Sequence, residues 1–136
     1  MAAIDRSVAT LRLFGDDLDP EEITRILGKP PTRSERKGEV IRREGTGIER
    51  TARTGSWRLE VADRRPEDVD GQVAELLSAL TTDVGVWQAL ASKYKVDLFV
   101  GLFMKDSNEG LSLSPTTLTK LGERGISIGF DIYDPS

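Results

Sequence analysis

The sequence predicts an α+β fold: a mainly antiparallel sheet of five to six strands, helices packed on one face, and a ferredoxin-like split β-α-β core. Three observations predict it. Ser7–Phe14, Ser56–Val61 and Ile126–Tyr133 alternate apolar and polar side chains with the period of two expected of half-buried strands. Segments of helical spacing stand between them. Val96–Met104 is apolar on both faces except at Asp97, the pattern of a central strand. A chain of 136 residues with no internal repeat and no low-complexity linker is expected to form one domain over 1–136.

In the first strand Ala9, Leu11 and Leu13 share one face, with Val8, Thr10, Arg12 and Phe14 on the other. The helix that follows, within GDDLDPEEITRILG, is bounded by its own chemistry. Asp19 suits the N-cap and Pro20 the first helical position, and Glu22 completes a capping box with aspartate in place of Ser or Thr. Leu18 and Ile23 can staple the entry, and Ile23, Ile26 and Leu27 form the apolar stripe. Gly28 can end the helix in the left-handed conformation, and Pro30–Pro31 forbid continuation. A basic loop comes next, then a thin strand over Glu39–Glu44 and a hairpin tip or mobile loop over Gly45–Gly55. Ser56–Val61 is expected to pair antiparallel with that thin strand. Val69, Val73, Leu76, Leu77 and Leu80 mark a second helix, and Val84, Trp87, Leu90, Ala91 and Tyr94 a third. DSNEG at 106–110 has turn chemistry, Leu111–Leu113 a brief extended character. Ser114 and Pro115 cap a short helix running through Leu121. In the last strand Ile126, Ile128, Phe130 and Ile132 take a core face, opposite Ser127, Gly129, Asp131 and Tyr133.

Composition limits the chemistry. With no cysteine, disulfides and thiolate catalysis are excluded, which fits a reducing cytoplasm. With no histidine, the usual triad base and the commonest zinc ligand are missing, so neither a metal nor another cofactor is expected. No apolar run approaches the roughly 20 residues of a membrane span, and MAAIDRSVATLRLFG lacks the plan of a signal peptide. The net charge of −4 argues against nucleic acid as a partner. That charge is unevenly placed. Lys29 to Arg53 holds eight basic residues against four glutamates, a net of +4, which leaves −8 for the remainder. Nothing in the pattern specifies an oligomeric state.

The basic loop is the first place to seek a ligand. Arg33, Arg36 and Lys37 could converge on a phosphate or carboxylate, with Thr32 and the Gly38 amide adding hydrogen bonds. The competing account is a solvated connection, since a charge run is usually a wet face. Trp57 shares its face with Leu59 and Val61, the position of a core residue; on a surface it would instead stack a ring. Asp131 and Tyr133 lie beside Gly129 on the polar side of the last strand. A neighbouring Asp97 would make a carboxylate pair there, and such pairs do acid–base work. The acidic run Asp16, Asp17, Asp19, Glu21 and Glu22 lacks the glycine and terminal glutamate of a calcium loop, and helix capping accounts for it.

DLDPEEITRILGKPPTRSERKGE, the strand tryptophan Trp57 and the closing ISIGFDIYD together resemble the bacterial family called domain of unknown function 4279. The resemblance covers nearly the whole chain. It implies a bacterial origin and a single α+β domain, and it carries no activity. The leading expectation is a non-catalytic binding module of the bacterial cytoplasm, for a protein partner or a small anionic ligand. The alternatives are an enzyme using Asp97, Asp131, Tyr133 and Lys37, and an immunity protein that neutralises a toxin.

Overall fold

The computed structural model describes residues 2–135. The chain runs β1 (Ala2–Ala3), β2 (Arg6–Gly15), α1 (Pro20–Leu27), β3 (Arg33–Glu35), β4 (Val40–Arg42), β5 (Glu49–Thr51), β6 (Gly55–Glu60), α2 (Val69–Ser78), α3 (Val84–Lys93), β7 (Lys95–Phe103), β8 (Glu109–Gly110), α4 (Pro115–Glu123) and β9 (Ser127–Tyr133). Five strands form the main sheet in the order β3-β6-β2-β7-β9. β6 is antiparallel to both β3 and β2, and β2 is antiparallel to β7. β7 and β9 are parallel, joined by the crossover through α4, so the α+β fold rests on a mixed sheet. β4–β5 is a separate hairpin, and β1 pairs with β8.

Period-two burial decides the layering. Ala9, Leu11 and Leu13 of β2 are fully buried, as are Trp57 of β6 and Val100 and Leu102 of β7. All belong to one continuous apolar cluster, to which the four helices bring their stripes: Ile23 and Leu27, Val73 and Leu76, Trp87 and Leu90, and Leu121. Trp57 is, with Trp87, one of the two largest side chains in it. Its ring is 0% exposed, and its indole N–H donates to Thr24 Oγ1 of α1 at 3.1 Å. A buried tryptophan keeps its N–H only where a partner is within reach.

Helix α1 ends where local chemistry places its limits. The Asp19 side chain accepts the Glu21 N–H at 3.0 Å, Pro20 opens the helix, and Gly28 sits at φ 91° beyond its end. The capping bond goes to Glu21 rather than closing a box through Glu22. Asp68, Asp83 and Ser114 cap α2, α3 and α4, each accepting the N–H of the residue three positions on.

The structure corrects several expectations. The basic loop contains β3, three residues at the edge of the main sheet, and its period-two pattern is too short to read from sequence. β6 therefore pairs with β2 and β3, whereas β4 turns back on β5. Glu109–Gly110, expected as turn, pairs with Ala2–Ala3. In β9 the expected faces hold, but Phe130 and Ile132 on the core side are 41% and 58% exposed and stand outside the apolar cluster.

Trp57→Ala is expected to cost about 3–5 kcal/mol by leaving a cavity at the centre of the core. Asp19→Ala should cost about 1 kcal/mol through the lost cap. Midpoints of urea unfolding check both, and an unchanged midpoint for either variant would refute the corresponding assignment.

Candidate functional site: an arginine-lined cleft on the open sheet face

Side chains alternating with the core residues project to the face without helices. On β2 these are Arg6, Val8, Thr10, Arg12 and Phe14, half-buried rather than free in solvent. Arg12 makes a bidentate pair with Asp97 of β7, both contacts at 2.8 Å, and lies over the rings of Phe99 and Phe14. Those two bonds raise the Arg12 guanidinium above its ordinary value. Further along, Arg6 stands 3.9 Å over the ring of Phe103, which stacks on Tyr133 at 4.7 Å. The Tyr133 hydroxyl donates to Asp131 at 2.5 Å, which raises its pKa.

Toward β3 the surface becomes concave and cationic. The register sets Arg33 directly opposite Arg58, and Glu35 opposite Ser56. Like charges opposed across neighbouring strands are destabilising. The hairpin β4–β5 stands beside this pair. Its base is held by the Gly38 N–H donating to Ala52 O and the Ala52 N–H donating to Glu39 O, and Arg50 of β5 meets Glu35 at 2.5 Å. Two hollows meet at Arg50. One, of about 450 Å³, lies between Phe14, Arg53, Ser56 and Arg58. The other, of about 360 Å³, lies between Arg33, Ile41, Arg43 and Ile48.

Five guanidinium groups thus line the two hollows, against the carboxylate of Glu35, which is nearly buried in the first of them. Among the described residues, Arg33, Arg43, Arg53 and Arg58 form no ion pair with a carboxylate. Burial foremost, then the charges of Arg33, Arg12 and Arg50, pushes the Arg58 guanidinium below its ordinary value, while Glu35 opposes that shift. The cleft therefore carries an excess of positive charge, with Arg58 half-buried and Arg33, Arg43, Arg50 and Arg53 exposed at its rim.

Of the residues expected to bind in the basic loop, Arg33 is the one at the cleft. Arg36 pairs with Asp19 at 2.9 Å and Glu21 at 3.5 Å, and Lys37 with Asp16 at 3.1 Å. The hydrogen bond from Lys37 holds the Asp16 carboxyl below its usual range, with Thr54 adding to the effect. Thr32 Oγ1 accepts the Glu60 N–H at 2.9 Å, so it too is engaged within the fold. Trp57 lies on the core side. Asp131 and Tyr133 occupy the open face but at the opposite edge of the sheet. Asp97 and Asp131 do not form a pair: Asp97 is opposite Ser127 and Asp131 opposite Gly101, a separation of about 13 Å along the strand. The catalytic grouping of Asp97, Asp131, Tyr133 and Lys37 is thus dispersed.

The family model for Domain of unknown function (DUF4279) matches residues 5–135. The chain belongs to this family. No curated protein and no solved structure matches it. In this member of the family, Glu35, Arg50, Arg53 and Arg58 join Arg33, and sequence pattern alone overlooks them as a group. Arg58 was visible as the polar position in SWRLEV. Nothing local brings Arg50 and Arg53 to it, because they arrive with the hairpin. Among the described residues no cluster of carboxylates is disposed to hold a metal ion, and no helix is long and apolar enough to cross a membrane.

Asp97→Ala should leave Arg12 half-buried without its fork and cost about 1.5–3 kcal/mol, the worth of hydrogen bonds to a charged group. Urea unfolding of Asp97→Ala and of the double variant Asp97→Ala/Arg12→Met measures it. The double variant should recover part of the loss, since no orphaned charge remains.

Proposed function

We propose that this protein is a non-catalytic binding module whose cleft between the β4–β5 hairpin and the open sheet face takes a small anionic ligand. One observation carries the reading. Arg33 and Arg58 stand directly opposite one another with Arg50 beside them, and Glu35 alone is too little charge to compensate. An anion in the cleft would relieve that repulsion, and paired guanidinium groups match the planar acceptors of phosphate and carboxylate. The volume supports the same reading, since small-molecule sites commonly span about 300–1,000 Å³. We also read the sheet as a ferredoxin-like split plan extended by one strand. The order β3-β6-β2-β7 supports it, because β2 and β3 run parallel with β6 between them.

Inorganic phosphate and pyrophosphate are suitable probes. At a free concentration near 100 times its dissociation constant, a bound probe stabilises the fold by about 2.7 kcal/mol and raises Tm. Binding should weaken with added salt, as exposed charges are screened over about 8 Å at physiological ionic strength. The triple variant Arg33→Gln/Arg50→Gln/Arg58→Gln should lose the thermal shift. Arg36→Gln/Lys37→Gln should keep it, since those two side chains are neutralised elsewhere. Absence of any anion-dependent shift, or its loss in the Arg36/Lys37 variant, would overturn the reading.

A further inference from the structure

We propose that the free edge of β9 is a self-association surface, and that its occupant is β9 of a second copy of this chain, antiparallel about a two-fold axis at Phe130. β9 is the terminal strand of the main sheet, on the side away from the arginine cleft. Its backbone direction can be read from one bond: the Met104 N–H donates to Tyr133 O at 3.0 Å, so Tyr133 directs its peptide groups toward β7. With a period of two, Asp131 and Gly129 do the same, and Ile128, Phe130 and Ile132 direct theirs outward. An edge with unpaired N–H and C=O groups is a template for another strand, and proteins usually blunt it with Lys, Pro or a bulge. β9, SIGFDIY, carries none of these.

The occupant follows from the symmetry of the pattern. The three outward residues are centred on Phe130. An antiparallel copy sets Phe130 against Phe130 and each Ile128 against Ile132, three hydrogen-bonding pairs that exchange about six backbone bonds. The same register places the exposed Phe130 and Ile132 side chains of both copies together on the helix side of the sheet, where 41% and 58% of their surfaces are uncovered in one chain. On the other side Asp131 falls opposite Gly129, so the charged residue of the strand meets no like charge. Shifting the axis by one residue would set Asp131 against Asp131, which like-charge repulsion disfavours. Self-pairing is therefore matched in hydrogen bonds, apolar contact and charge at once, and a two-fold contact of this kind is closed.

Sedimentation equilibrium of the full chain from low micromolar to several hundred micromolar tests the proposal. Twice the chain mass is expected at the upper end, with the Phe130 and Ile132 amides protected from hydrogen exchange in step with the dimer fraction. Ile132→Lys places a charge on a side chain that is already exposed, so the fold should persist by circular dichroism while association weakens about tenfold or more. Val40→Lys, on the equally exposed hairpin, should associate like the unaltered chain. A single-chain mass throughout would overturn the proposal. So would undiminished dimerisation of Ile132→Lys, or a dimer whose Phe130 amide exchanges freely.

Discussion

Strand β2 is hydrogen-bonded along both edges, to β6 and to β7, and every second side chain on it lies under the helices. A strand placed there cannot slip by one residue without moving Ala9, Leu11 and Leu13 to the outer face and Arg12 into the core. Its register is thereby strongly specified, and it transmits that register to its neighbours. Trp57 falls opposite Leu13, which sets it beneath α1 within reach of Thr24. Asp97 falls opposite Arg12, the one geometry in which the two can meet as a fork. Even the cleft depends on β2, because Phe14 lines it and the β2–β6 register places Arg58 near that ring. At the end of this pair the strands come very close. A Cβ on Gly55 would lie 2.7 Å from Gly15 O, so the corner requires glycine.

The basic segment divides into two populations with different physics. Arg36 and Lys37 face the acidic start of α1 and meet carboxylates that are themselves exposed. Such pairs are worth about 0–1 kcal/mol each, enough to orient a loop and too little to define a site. Arg33, Arg50, Arg53 and Arg58 are gathered instead against a half-buried sheet face around one carboxylate. Their mutual repulsion is tolerated because the apolar cluster on the other side of the sheet holds the strands in place whether or not the charges agree.

The two edges of the main sheet are treated differently. At one, β3 is three residues long, carries Arg33 and Glu35, and has the hairpin beside it, all features that discourage another strand. At the other, β9 is seven residues long and exposes Phe130 and Ile132 on the core side. One edge is guarded by charge near the cleft, and the other is left apolar.

Much of the architecture was legible in the sequence. β2, β6, β7 and β9 appear as alternating or continuous apolar runs, and α1 and α4 appear with their caps, because burial period and capping involve residues a few positions apart. The same local reasoning placed Trp57 among core side chains and located positive charge in the middle of the chain. It did not show which charges would stand together. β3 is too short to announce itself, β4 pairs with β5 rather than with β6, and β9 runs parallel to β7. Strand pairing is decided by contacts between residues far apart in the chain, where burial of one sheet face selects the register. The ion-pair partners of Arg36 and Lys37, and the place of Arg33 opposite Arg58, follow from that selection and from the hairpin's position, neither of which is written in any short stretch of sequence.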